Sequence, residues 1–314
     1  MLRHIVKAQQ FDKPWIEGFF GQVREMEDVA ASGGSDALRR RIMATLFYQP
    51  STRTRLSFEA AMCRLGGTVI STENAKEFSS AAKGESLEDT IRVVAGYADV
   101  IVLRHYELGS SERAAALDAA PIINAGDGPG QHPTQALLDL YTIERELGRL
   151  EGLNVAVVGD LKYGRTVRSL AYLLSKFSGT KLYFVAPPIC QIGEDIKAHL
   201  AEKNVPFEEI GALEDVIGEV DVVYQTRIQR ERFATPEEYE ACRGVYVVDR
   251  AAMARLNPAA VLLHPLPRVD EIAPEVDADP RAAYFRQARN GVFLRMALLH
   301  ELLAVGDQPS AVGG

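Results

Sequence analysis

Phe47-Tyr48-Gln49-Pro50-Ser51-Thr52-Arg53-Thr54-Arg55 joins an apolar run, Ile42 to Phe47, to a segment from Leu56 to Leu65 that ends on Gly66-Gly67. The apolar run has the composition of a buried strand, and the proline stops it. After the proline, apolar residues recur at helical spacing, and the glycine pair is suited to a C-cap. Hydroxyls and guanidiniums therefore alternate where a helix begins, and a helix start offers unpaired backbone N–H groups and the positive end of the dipole. Ser51, Thr52 and Thr54 add hydroxyl donors, and Arg53 and Arg55 add planar forks suited to phosphate oxygens. A strand, an anion-binding loop and a helix in this order predict a parallel α/β sheet with a phosphate cradle.

The same alternation extends outward. Strands are expected at Ile42 to Phe47, Thr68 to Ser71, Asp99 to Leu103 and Pro121 to Asn124, with helices at Leu56 to Leu65, Ser86 to Ala95 and Thr134 to Leu147. The pattern restarts with strands at Asn154 to Val158, Lys181 to Val185, Val220 to Tyr224 and Val261 to Leu263. Helices are expected at Thr166 to Phe177, Asp195 to Lys203 and Pro236 to Cys242. Short apolar strands alternating with helices imply parallel sheets covered on both faces. The expected fold class is α/β: two doubly wound parallel-sheet domains joined by long helices. The first domain spans 1–148 and is completed by a returning C-terminal helix, 284–305; the second spans 149–283.

A chain of 314 residues with 47% hydrophobic and 25% charged residues has the bulk of a soluble two-domain protein. No apolar run approaches the ~20 residues a bilayer requires, and Met1 to Lys7 contains no h-region, so neither a membrane span nor a secretory signal is expected. Cys63, Cys190 and Cys242 are widely spaced, which suits a reducing, cytoplasmic compartment and packing roles, not a disulfide framework or a zinc site. A net charge of −8 argues against a general nucleic-acid binder, which would need a basic face. It also means that arginines meant for an anion must be gathered locally, because charges more than ~10 Å apart are largely screened.

Ligands of open α/β sheets sit beyond the carboxyl ends of the strands. The expected strands are followed in turn by Arg104-His105, by Gln131-His132-Pro133-Thr134-Gln135 and by Gly159-Asp160-Leu161-Lys162-Tyr163-Gly164-Arg165. Later come Gln225-Thr226-Arg227-Ile228-Gln229 and His264-Pro265-Leu266-Pro267-Arg268. Strand ends thus repeatedly deliver anion-binding or amide side chains. His132 stands at a helix start, where the dipole favours a neutral, donating ring. The segment 159–164 does not match G-x-G-x-x-G, and the Walker, H-E-x-x-H and G-x-S-x-G patterns are absent. A phosphate site without nucleotide, metal or nucleophile motifs points to group transfer by positioning and electrostatics, and no metal or cofactor is expected.

These blocks resemble the aspartate/ornithine carbamoyltransferase family. Ser51-Thr52-Arg53-Thr54-Arg55 and His132-Pro133-Thr134-Gln135 are similar to motifs of the whole family. Lys83-Gly84-Glu85, Gly159 to Thr166 and His264 to Val269 are similar to its aspartate branch. An ornithine enzyme would show H-C-L-P where this chain has His264-Pro265-Leu266-Pro267. Gln225, where methionine is common in the family, is a small departure.

The resemblance implies carbamoyl transfer from carbamoyl phosphate to L-aspartate, in pyrimidine synthesis. On that basis Ser51, Thr52, Arg53, Thr54 and Arg104 hold the phosphate, while Thr54, Arg104 and His132 surround the carbonyl oxygen. Gln135 and the carbonyls of Pro265 and Leu266 hold the carbamoyl NH₂; Arg165, Arg227 and Gln229 hold aspartate. Ser80 and Lys83 are expected to reach in from a neighbouring subunit of a homotrimer with shared active sites. Regulatory chains or other pyrimidine-pathway enzymes remain open as partners. The competing readings are transfer to another amino acid such as ornithine, or a non-catalytic anion-binding protein.

Overall fold

The computed structural model describes residues 2–75, 84–228, 230, 233, 235–240 and 242–304. The chain folds as two compact units, Met1–Thr134 with Gly291–Gly314, and Gln135–Asn290. The first contains β1 (Ile42–Phe47), β2 (Thr68–Glu73), β3 (Val100–His105) and β4 (Ile122–Asp127) in the order β2-β1-β3-β4. All of these strands pair in parallel. β1 and β3 are buried along almost their whole length, which is why they read as near-continuous apolar runs. β2 is an edge strand and mostly open. Buried Thr45 joins the two, its hydroxyl 2.8 Å from Ser71 Oγ. Residues 5–6 cover the other edge, with Ile5 N–H donating to Ile122 O and Asn124 N–H donating to Ile5 O.

Around this sheet lie α1 (Lys13–Ala31), α2 (Thr52–Arg64), α3 (Leu87–Ala95) and α4 (Ser110–Ala116). α1 and α4 lie outside the sequence expectation. α1 does carry a start signal: Asp12 accepts from Trp15 N–H at 2.8 Å, and Pro14 sits in the first turn. Its buried stripe of Ile16, Phe19, Phe20, Val23 and Met26 has helical spacing.

α5 (Pro133–Leu147) carries the chain into the second unit, where β5 (Asn154–Val158), β6 (Lys181–Val185), β7 (Phe207–Ile210), β8 (Val222–Gln225) and β9 (Val261–Leu263) form a parallel sheet. Its order is β7-β6-β5-β8-β9. Its helices are α6 (Arg165–Leu174), α7 (Glu194–Glu202), α8 (Pro236–Glu240) and α9 (Arg250–Arg255). Strand β7, Phe-Glu-Glu-Ile, escapes the sequence pattern because it is a short edge strand with two exposed glutamates at its centre.

The N-terminal part of the first compact unit ends at Thr134, inside α5. Beyond it Asp139 accepts from Tyr224 and Gln287, and Asn290 donates to Thr142, so most of this helix bonds within the second unit. α10 (Tyr284–Leu303) begins in the second unit and belongs to the first from Gly291 onward. In the first unit Arg295 lies over the Phe58 ring at 4.8 Å, and Glu301 accepts from Trp15 Nε1 at 3.1 Å.

Gly159, after β5, has φ +114°, and a Cβ there would lie 2.3 Å from Thr226 O. Gly159→Ala should therefore combine backbone strain with overpacking and cost about 2–4 kcal/mol, read as a lower denaturant midpoint; an unchanged midpoint would show that the β5–β8 loops can separate freely.

Candidate active site

In each sheet two neighbouring strands have connections that leave in opposite directions. In the first, β1 leads toward β2 while β3 lies on its other side; in the second, β5 leads toward β6 while β8 lies on its other side. Such switch points are where open α/β sheets bind ligands.

At the first switch point Phe47 and Arg104 are register partners, and Tyr48 N–H donates to Arg104 O at 2.8 Å. The loop after β1 and the end of β3 are thereby fixed side by side. Ser51 occupies the N-cap of α2 with no side-chain capping bond. Its hydroxyl lies 3.0 Å from the hydroxyl of buried Thr54. Arg53 is exposed, has no carboxylate partner among the described residues, and its guanidinium pKa is pushed down by partial burial alone. Arg55 corrects the sequence reading. It points into carboxylates, 2.9 Å from Glu73 and 3.9 Å from Glu59, and ties α2 to β2 instead of extending the phosphate cradle.

Arg104 is anchored by Nη1 donating to Ala125 O at 3.0 Å. His132 is buried and immediately precedes Pro133, the first residue of α5. Its loop is fixed by Asp127, which accepts from Gln131 N–H at 2.7 Å and Gly109 N–H at 3.1 Å. Gly128 N–H donates to His105 O at 2.9 Å, so the loops after β3 and β4 are tied together.

At the second switch point the Gly159–Thr226 packing brings the ends of β5 and β8 together, with Thr226 N–H and Oγ1 both donating to Val158 O at 2.8 Å. Arg165 opens α6 and Arg227 follows β8, so both residues, each part-buried, lie at this sheet end. Gln135 donates from Nε2 to Asp139 Oδ1 at 2.8 Å, which leaves its Oε1 as the acceptor end. Pro265 and Leu266 follow β9. Leu266 has φ +54°, strained for a leucine. Its N–H donates to His264 Nδ1 at 2.7 Å, while His264 Nε2 faces Glu271 Oε1 at 2.8 Å. The ring is therefore protonated on Nε2. Burial would raise the Glu271 pKa, but hydrogen bonds from His264 and from backbone N–H groups outweigh it and hold the carboxyl below its usual value.

Ser51, Thr52, Arg53, Thr54, Arg104 and His132 thus belong to the first unit, and Gln135, Arg165, Arg227, Pro265 and Leu266 to the second. Ser80, Lys83 and Gln229 lie outside the described residues. Sequence reasoning gave no role to Asp139, Glu271 or Gln287. Only Asp139 had a local signal, four residues after Gln135 on one helix face.

Residues 3–145 match the family model for the aspartate/ornithine carbamoyltransferase carbamoyl-P binding domain, and residues 151–302 match that for the Asp/Orn binding domain. The chain belongs to the aspartate/ornithine carbamoyltransferase family. Among relatives in that family, the chloroplastic aspartate carbamoyltransferase of Arabidopsis thaliana is 59% identical over 97% of this chain and 78% of its own length. The aspartate carbamoyltransferase catalytic subunit of Methanopyrus kandleri is 50% identical over 97% and 98%. Among solved structures, the catalytic subunit of M. jannaschii aspartate transcarbamoylase superposes with TM-score 0.91 at 48% identity, covering 98% of this chain and all of that one. Aspartate transcarbamoylase from Trypanosoma cruzi in complex with N-(phosphonacetyl)-L-aspartic acid gives 0.90 at 42%, covering 96% and 95%.

The different surroundings of the two arginines separate their roles. Arg53→Met should weaken inorganic phosphate binding about 10–100-fold, the loss of charged hydrogen bonds, with little change in unfolding midpoint. Arg55→Met should do the reverse. Calorimetric titration and thermal melts on both variants check this, and equal phosphate losses would return Arg55 to the cradle.

Proposed function

We propose that this chain catalyses transfer of the carbamoyl group from carbamoyl phosphate to the amine of L-aspartate, giving N-carbamoyl-L-aspartate and phosphate, in pyrimidine synthesis. What carries this reading is, in the first unit, an arginine at a helix start, Arg53, with no carboxylate partner among the described residues, and, in the second unit, two part-buried arginines, Arg165 and Arg227, at its own switch point. The first suits a phosphate and the pair suits a dicarboxylate; ornithine would call for an acidic partner there. The T. cruzi relative, 42% identical, has been crystallised with carbamoyl phosphate and aspartate.

In this reading Ser51, Thr52, Arg53, Thr54 and Arg104 hold the phosphate. Thr54, Arg104 and His132 donate to the carbonyl oxygen as it becomes an oxyanion. Gln135 Oε1 and the carbonyls of Pro265 and Leu266 accept from the carbamoyl NH₂. Arg165, Arg227 and Gln229 hold the aspartate carboxylates. The amine nitrogen attacks the carbamoyl carbon, the carbon–oxygen bond to phosphate breaks, and the leaving phosphate takes up the amine's proton. The nucleophile comes with the substrate, so the protein supplies alignment and preorganised donors, not a covalent residue.

We also propose a homotrimer in which Ser80 and Lys83 enter a neighbour's site. The open edge strand β2, with Ile70 exposed, and the exposed Leu56 on α2 support an interface on the first unit. A relative in Dictyostelium discoideum is named a multifunctional protein, and association with other pathway enzymes is a reading of the same kind. A cytoplasmic location is supported by the free cysteines Cys63, Cys190 and Cys242.

Aspartate and ornithine assayed in parallel for phosphate release should give turnover with aspartate alone. Arg227→Ala leaves a bound carboxylate unpaired and should lower kcat/KM for aspartate by about 3 kcal/mol, on the order of a hundredfold, with carbamoyl phosphate affinity kept. His132→Ala should lower kcat by roughly 10²–10³. Turnover with ornithine, or equal loss of affinity for both substrates in Arg227→Ala, would overturn this division of roles.

The shared site has its own test. Arg53→Ala and Lys83→Ala should each be nearly inactive. Dissociated, mixed equally and reassociated, they should recover about a quarter of wild-type activity, the fraction of sites hosted by a Lys83→Ala chain beside an Arg53→Ala chain. A mixture no more active than its parents would place Lys83 in cis or outside the site.

A further inference from the structure

Behind the residues assigned to the carbamoyl group runs one buried chain of hydrogen bonds, all within the second unit. His264 N–H donates to Gln287 Oε1 at 2.9 Å. A backbone N–H can only donate, so this bond fixes which end of the Gln287 amide faces it. Gln287 Nε2 must then face the other way, and it donates to Asp139 Oδ1 at 2.6 Å. The same oxygen accepts Gln135 Nε2 at 2.8 Å, and Tyr224 OH donates to Asp139 Oδ2 at 2.7 Å. Asp139 and Gln287 are almost fully buried. Burial, and after it the Asp139 carboxylate, pushes the Tyr224 phenol well above its ordinary pKa, so it remains a donor.

At one end of the chain Gln135 can present only its oxygen. At the other, His264 is held at N–H by Gln287 and at both ring nitrogens by Leu266 N–H and Glu271. That grip fixes the segment in which Leu266 takes its strained positive φ. Among the described residues, no donor reaches Gln135 Oε1, Pro265 O or Leu266 O. Acceptors left open, Gln135 held directly by Asp139 and the Pro265–Leu266 segment held through His264 and Gln287, suit the two N–H donors of an NH₂ group and cannot be used by a methyl group.

We propose that Asp139 and Gln287 are positioning residues, a relay that presets Gln135 Oε1 and the Pro265 and Leu266 carbonyls as acceptors for the carbamoyl NH₂ and so selects carbamoyl phosphate over acyl phosphates of the same shape. The inference rests on the carbamoyl phosphate reading above and adds its selectivity. Asp139 acts through its geometry as an acceptor, not through its charge. Asparagine can keep Oδ1 on both glutamines by turning its NH₂ toward the Tyr224 oxygen, whereas leucine cannot accept at all.

Binding of carbamoyl phosphate, acetyl phosphate and inorganic phosphate is measured by calorimetric titration on the full chain. Acetyl phosphate has a methyl where carbamoyl phosphate has NH₂. Asp139→Leu should lose about tenfold or more of the preference for carbamoyl over acetyl phosphate, the scale of one or two hydrogen bonds. Inorganic phosphate affinity should stay within about twofold. Gln287→Met should lose several-fold of that preference, Asp139→Asn should retain it, and Tyr224→Phe should retain it with a lower melting temperature. If Asp139→Leu does not fold, Gln287→Met decides. Equal weakening of all three ligands, or an unchanged preference in Asp139→Leu and Gln287→Met while Gln135→Leu abolishes it, would reduce the relay to scaffold. An unchanged preference in Gln135→Leu would instead overturn the carbamoyl reading on which the relay rests.

Discussion

Parallel pairing of β1 with β3, and of β5 with β8, is the constraint on which the candidate site depends. A parallel strand must be re-entered from the same end, so its connection crosses one face of the sheet. Where two neighbours send their connections in opposite directions, their carboxyl ends are left open together. Phe47 opposite Arg104, and Gly159 packed on Thr226, are the local expressions of this rule. They bring together residues far apart in sequence without any side chain having to reach.

Charge is distributed to suit that geometry. A protein of net charge −8 repels anions at long range, and only local arrangement can reverse the sign. Arg53 and Arg55 are two residues apart, yet only the second sits among carboxylates, Glu59 and Glu73. Half a turn of helix separates them, and it places Arg55 against Glu73 of β2 while Arg53 stays exposed. The acidic residues that neutralise Arg55 form no ion pair with Arg53 among the described residues.

Selection of the carbamoyl group rests on rigidity of another kind. Acceptors that must wait for a substrate NH₂ cannot be satisfied by the protein, and unsatisfied groups tend to turn toward any partner within reach. The Asp139–Gln287 chain opposes this by occupying the donor end of Gln135 and by holding His264, which in turn holds Leu266 N–H. Such preorganisation places the cost of orientation in folding instead of in each turnover.

The sequence by itself determined the class of fold and the strand-end positions of the arginines. Buried parallel strands are written as apolar runs, and helix starts have their own local chemistry. It missed α1 in spite of Asp12 and Pro14, and missed β7 because an edge strand with exposed glutamates lacks the apolar signal. Only the tertiary structure decided that Arg55 serves packing, that most of α5 bonds with the second unit, and that Asp139, Gln287, His264 and Glu271 form one chain. Those outcomes depend on partners up to 148 residues away, Asp139 and Gln287 among them. Local pattern carries the periodicity of a segment, but not the distant partner that its polar groups meet once it is buried.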